Sequence, residues 1–103
     1  MHFLIKASIP AEVGNAKQKD GTLGDTTNAI LAQAKPEIVF FTGEGGVRTI
    51  YTLVNVADSS DITLIQEAWY IGLDASVEVQ LACTPEDMAK SAPQLPGIVA
   101  KFA

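Results

Sequence analysis

The stretch Ile38 to Val56, IVFFTGEGGVRTIYTLVNV, decides the fold. Two β-rich runs flank Gly43-Glu44-Gly45-Gly46, a combination that predicts a β-hairpin. Its first strand covers Glu37 to Thr42. The centre of that strand, Ile38-Val39-Phe40-Phe41, is apolar on both faces, which predicts that both faces are covered. The second strand covers Val47 to Val56. Thr49, Tyr51, Leu53 and Asn55 share one of its faces; Arg48, Ile50, Thr52 and Val54 share the other. We expect the Tyr51 set to face the helices and Arg48 to face away.

Upstream, His2 to Ile9 alternates, with Phe3, Ile5, Ala7 and Ile9 on one side of a strand that Pro10 ends. Ala11 to Ala34 reads as a helix interrupted at Asp20-Gly21, restarting at Thr22 and carrying the stripe Leu23, Ile30, Leu31, Ala34. Pro36 stops it at Lys35. Downstream, Asp58-Ser59-Ser60-Asp61 opens a helix whose apolar side is Ile62, Ile65 and Trp69, with Gly72 expected as a left-handed cap. Ala75 to Cys83 alternates over its whole length and reads as a fourth strand. Thr84-Pro85-Glu86-Asp87 opens a short helix: a cap, a proline in the first turn, then two acids. A last apolar piece places Ile98 and Phe102 four residues apart.

The order β-α-β-β-α-β defines a split βαβ, or ferredoxin-like, α+β domain. Right-handed crossovers put both long helices on one face of a four-stranded antiparallel sheet of order 4-1-3-2. We read residues 1–103 as one domain, with 84–103 as a C-terminal helical extension. The face without helices would then carry apolar residues in contact with water. A second copy packed sheet to sheet is the simplest remedy, and two-fold pairs are the commonest oligomers.

Composition narrows the function classes. Seven basic and twelve acidic residues give a net charge of −5, and the basic residues are scattered. That argues against nucleic acid and anionic membrane surfaces. No apolar run is long enough to span a bilayer, and no basic segment precedes a long apolar run as in a signal peptide. A single cysteine, Cys83, forbids an internal disulfide and fits a cytoplasmic location. One His, one Cys and no carboxylate cluster at ligand spacing give no reason to expect zinc. No cofactor is expected, and Gly43-Glu44-Gly45-Gly46 joins two strands, unlike a phosphate loop.

Three groups of residues are candidates for chemistry. Asn15 and Lys19 share a helix face, and Asp20 adds a carboxylate at the break; the alternative is ordinary cap and turn chemistry. Tyr51, Asn55 and Trp69 are expected on the helix-facing side, where a ligand would lie. Trp69 at helical spacing also suits the core, whereas a buried Asn55 amide would need a partner. His2, Lys6, Arg48, Glu78 and Gln80 are expected on the face away from the helices. There Lys6 and Glu78 would be neighbours, as paired charges of a dimer seam or, with His2, as an acid–base group.

Several landmarks occur in order: Gly14-Asn15, Asp20-Gly21, Leu23-Gly24, Lys35-Pro36-Glu37, Gly45-Gly46 with Arg48-Thr49, and Asp74-Ala75. Over Phe3 to Met88 the chain thereby resembles an uncharacterised bacterial family of the dimeric α/β-barrel superfamily. The resemblance implies a ferredoxin-like protomer and a back-to-back dimer. The superfamily includes muconolactone-isomerase-like enzymes, cofactor-free monooxygenases, haem-binding members and ligand-sensing regulators, and fold does not choose among them. The expectation is a small homodimer binding a partly apolar molecule between sheet and helices. The alternatives are a cofactor-independent isomerase or monooxygenase using Asn15, Asp20, Tyr51 or His2, and a structural dimer without a ligand.

Overall fold

A computed structural model describes residues 1–103. The elements are β1 (His2–Ser8), α1 (Ala11–Asp20), α2 (Leu23–Ala34), β2 (Ile38–Glu44), β3 (Val47–Asn55), α3 (Ser60–Leu73), β4 (Ser76–Ala82), α4 (Pro85–Ser91) and α5 (Leu95–Phe102). A single 3₁₀ turn, Ala92–Gln94, joins the last two. The four strands form one antiparallel sheet, β2-β3-β1-β4. This is the expected ferredoxin-like order, and the chain has an α+β fold with a C-terminal helical extension.

Local chemistry sets the boundaries. Gly21 takes a left-handed φ of 82°, ending α1, and its N–H and that of Thr22 return to carbonyls of the last turn. That is the usual closure of a helix by glycine. Gly45 and Gly46 both have positive φ, as a primed two-residue hairpin turn requires. The hairpin is therefore tighter than expected, and Gly43 and Glu44 belong to β2. Gly72 is not the cap of α3. It lies inside the helix, and Asp74, at φ 52°, takes the left-handed position. The reason is packing: a Cβ on Gly72 would come within 2.9 Å of Ile30 Cδ1, so the glycine lets α2 approach α3. Asp58 starts α3 by accepting from the N–H and the hydroxyl of Ser60, both at 2.9 Å.

The core lies between one sheet face and the helices. Ile5 and Ala7 from β1, Ile50 and Val54 from β3, and Ile62, Ile65, Trp69 and Leu73 from α3 are its centre. Pairing registers fix which face is which. Phe3, Ile5 and Ala7 lie opposite Val54, Thr52 and Ile50, so these alternate positions of β3 point to the helices. Tyr51 lies opposite Lys6, and Asn55 opposite His2, on the uncovered face. Our expectation for β3 was therefore inverted. Tyr51 and Asn55 are not on the helix-facing side, and Arg48 is.

Two regions stay uncovered. Strand β2 is an edge strand with exposed apolar residues on both faces: only Val39 packs against the core, while Ile38, Phe40 and Phe41 are exposed, Phe40 and Phe41 by about two-thirds. The expected cover on both its faces does not come from this chain. Beyond β4, every residue from Pro85 to Ala103 is exposed. The helices α4 and α5 form an arm that stretches the molecule to 59 × 29 × 18 Å. Its start is well made: the Thr84 hydroxyl accepts from the Asp87 N–H, and the Asp87 carboxylate accepts from the Thr84 N–H, a reciprocal capping box.

Candidate functional site

Alternation in β3 sends Arg48 to the helix side, at the end of the sheet where the hairpin turns. Its side chain then runs across α1. A Cβ on the buried Gly14 would lie 2.7 Å from Arg48 Nη1 and 3.3 Å from Cδ and Cζ. With glycine there the arginine passes close to α1; an alanine would push the end of its side chain aside. The next residue, Asn15, receives it: Arg48 Nη1 donates to Asn15 Oδ1 at 2.9 Å. Gly14, Asn15 and Arg48, far apart in sequence, thus meet in one place.

Beside this unit lies a cleft of about 390 Å³. Ile9 and Ile50 form its floor and Leu23 a wall, and Phe41 of the edge strand borders it. Gln18 from α1 and Thr27 and Asn28 from α2 add neutral polar groups. The Thr27 hydroxyl already donates to the Leu23 carbonyl at 2.8 Å. Gln18, Asn28 and Arg48 remain with side-chain donors turned to solvent. Volume and lining suit a small organic molecule, which usually binds where apolar walls meet a few polar groups. None of the twelve acidic residues lines the cleft.

The first candidate group divides. Asn15 joins the cleft through Arg48. Lys19 is exposed in the last turn of α1 and does not line it. Asp20 accepts from the N–H and the hydroxyl of Thr22, at 2.9 and 2.5 Å. Those bonds hold its carboxyl below the ordinary range, so Asp20 has the turn chemistry of a helix break.

The second group does not converge. Trp69 is fully buried in the core and fills the space between α3 and the sheet. Asn55, at the exposed end of β3, accepts from the Met1 amino group at 3.1 Å. Tyr51 is on the uncovered face, where its hydroxyl donates to Glu44.

On that face only Lys6 and Glu78 of the third group are joined, through a network with Glu44 and Tyr51. The Lys6 ammonium pairs with Glu44 and, at 3.5 Å, with Glu78. The neighbours Lys6 and Glu78, opposite one another in the register, meet as expected. His2 Nε2 lies 3.3 Å from Glu37 Oε1, and Gln80 is opposite Leu4. The bond to Glu44 raises the Lys6 ammonium above its ordinary pKa. Bonds from Lys6 first and Tyr51 second lower the Glu44 carboxyl, and the Glu44 bond raises the Tyr51 phenol. Lys6 is therefore neutralised within its own chain. His2, Asp20 and Tyr51 lie in three separate places, and no cluster of three His, Cys, Asp or Glu side chains could hold a metal ion.

Sequence reading overlooked Glu44, Phe41, Gln18 and Asn28. Glu44 looked like a turn residue. Gly14, a glycine in the middle of a helix, was the available signal for the cleft, since such a position usually has a packing reason.

No family model matches the chain, and no curated protein does. Solved structures do resemble it. A de novo designed protein, Ferredog-Diesel, superposes with a TM-score of 0.47 at 8% identity, over 79% of this chain and 85% of its own. Protein Atu4242 from Agrobacterium tumefaciens gives 0.47 at 10% identity, over 82% and 96%. A formyltetrahydrofolate deformylase from Pseudomonas putida KT2440 gives 0.45 at 12% identity; the match covers 80% of this chain and 29% of that enzyme.

Proposed function

We propose that this chain is a cytoplasmic, homodimeric binding protein of the dimeric α/β-barrel type, taking a small, partly apolar molecule in the cleft beside Arg48. The observation that carries the binding reading is the cleft itself: a 390 Å³ space with aliphatic and aromatic walls and side-chain donors from separate elements. A binder is favoured over an isomerase or monooxygenase because His2, Asp20 and Tyr51 do not meet there. No helix is long and apolar enough to cross a membrane.

Surface area supports the second copy. A compact protein of 10.9 kDa exposes about 5,600 Å² by the usual scaling. This chain exposes 6739 Å². The surplus, about 1,100 Å², exceeds the roughly 800 Å² that each partner contributes to an ordinary stable interface. Exposed apolar residues on the uncovered sheet face (Leu4, Ile38 and Phe40) and on the arm (Leu95, Ile98, Val99 and Phe102) are available to such an interface. An eight-residue helix such as α5 is unstable alone in water. Packing the sheet faces together and the arms across the partner would cover both.

The test is a thermal-shift screen with aromatic acids, lactones and haem, followed by resonance mapping of the hits, alongside sedimentation at micromolar concentration. A ligand selective for the folded state raises the melting temperature and perturbs Thr27, Phe41 and Ile50. The dimer requires a two-chain mass that Phe40→Lys reduces to one. A stable monomer at micromolar concentration defeats the dimer, and silence across the library defeats the binder.

A further inference from the structure

We propose that the cleft selects a carboxylate: its ligand is a small organic acid with an aromatic or medium-length aliphatic body, and Arg48 is the residue that recognises the acid group. The inference rests on the cleft being a ligand site, and adds the class of molecule and the means of selection.

Charge is the first argument. Lys6 pairs with Glu44 and Glu78, and His2 lies beside Glu37. Arg48 has no such partner; the same is true of the lysines other than Lys6, but of these cations Arg48 alone lines the cleft. Its side-chain partner is the neutral carbonyl oxygen of Asn15. An arginine stays protonated at any ordinary pH and carries five N–H donors. One bond to Asn15 leaves most of the fork unused, and no carboxylate of the chain lines the cleft to compete for it.

Placement is the second. The missing Cβ of Gly14 lets the side chain cross α1 at close range, and Asn15 takes up one N–H. These contacts orient the guanidinium before any ligand arrives, so less side-chain freedom is lost on binding. An oriented planar fork suits a carboxylate, which it can engage through two parallel hydrogen bonds.

Surroundings are the third. Ile9, Leu23, Phe41 and Ile50 offer apolar surface near the cation. No lysine and no second arginine lines the cleft, so a single negative charge is balanced, whereas a phosphate dianion would be under-compensated. The matching ligand is therefore amphipathic, with its acid at Arg48 and its body against the floor and Phe41.

Matched pairs of probes test this: phenylacetate against phenylacetamide, and hexanoate against hexanamide, titrated by calorimetry and by chemical-shift mapping. In the wild-type chain we expect each acid to bind at least tenfold more tightly than its amide, with shifts centred on Thr27, Phe41 and Ile50. Arg48→Gln is expected to bring the ratio close to one, and Arg48→Lys to retain part of it. Gly14→Ala, which keeps the charge but displaces it, is expected to lower the ratio severalfold. Lys6→Gln, on the opposite face, should leave it unchanged. Dispersed amide spectra establish that each variant is folded. Acid and amide binding equally well in the cleft would overturn the carboxylate proposal and leave the binding reading standing. A preference that survives Arg48→Gln, or a phosphate monoester such as phenyl phosphate binding more tightly than the acids, would also overturn it. Absence of binding by both members of each pair would overturn the proposal together with the cleft reading.

Discussion

Arg48 and Lys6 are cations on opposite faces of one sheet, and they are treated in opposite ways. Lys6 is held by Glu44 and Glu78, and Tyr51 joins through Glu44. Arg48 is held by a glycine that makes room and an amide that carries no charge. A cation neutralised by its own chain is suited to being covered, because pairing offsets much of the cost of removing water. A cation left without an anion is suited to receiving one. The difference matches what the proposed dimer would require of the uncovered face and what the proposed ligand site would require of the cleft. Phe40 and Phe41 repeat the division on β2: adjacent in sequence and similarly exposed, they face the open side and the cleft respectively.

The largest effect that separates the two faces is expected from the adjacent residues Ile5 and Leu4. Ile5 is fully buried under the helices, and Leu4 is 38% exposed on the other side. Ile5→Ala removes core packing and should cost about 2–5 kcal/mol, independently of protein concentration. Leu4→Ala should cost much less in dilute solution. If a second copy covers that face, its cost should grow as concentration rises, since dimer stability depends on protomer concentration. Denaturant unfolding at several concentrations measures both. A Leu4→Ala cost that stays constant would break the proposed division of the faces.

A smaller effect concerns pH. Glu44 has a lowered pKa in the folded chain, so its stabilising contribution is complete above the ordinary value of 4.5 and is lost as pH falls through the lower folded value. Lys6 and Tyr51 have raised values. Their contributions are complete below the ordinary 10.5 and 10.0, and are lost as pH rises through the higher folded values. The network on the open face is accordingly strongest between about pH 5 and 10. Glu44→Gln should move the Tyr51 phenol back down, seen as phenolate absorbance at lower pH, and should flatten the acid side of the stability profile. Acid binding at Arg48 should be insensitive to that variant, because the guanidinium does not titrate in this range. An unchanged phenolate titration would show that Glu44 does not control Tyr51.

The order of elements, the strand order and the helix opening at Thr84 were all legible from residues 1–103, because each depends on neighbours within a few positions or on the handedness of a crossover. The pairing of Lys6 with Glu78 followed from topology alone. The orientation of β3 was not legible. Its two alternating sets each mix aliphatic and polar residues, and the choice between them is made by non-local pairing with β1. Arg48 misled for a physical reason: a charged side chain suggests an open face, yet its stem crosses α1 where Gly14 gives way. The cleft was hidden because its polar residues, Gln18 and Asn28, come from the outer surfaces of two helices and acquire meaning only beside Arg48.

The smallest effect concerns Thr52, on the same face of β3 as Arg48. Thr52 is buried, and its hydroxyl has no hydrogen-bond partner within the chain; the indole N–H of Trp69 is in the same condition. A buried hydroxyl without a partner pays its loss of hydration with no return, so replacing it by a methyl group of similar shape is favourable. Thr52→Val should therefore raise stability by about 1 kcal/mol, equivalent to a melting temperature higher by roughly 4–8 °C for a domain of this size. The corresponding change on the opposite face, Tyr51→Phe, should give no such gain, because it removes a hydroxyl that is bonded to Glu44. A loss of stability in Thr52→Val would mean that the hydroxyl has a polar partner in solution, such as an internal water shared with Trp69, and the helix side of β3 would then be less dry than its packing implies.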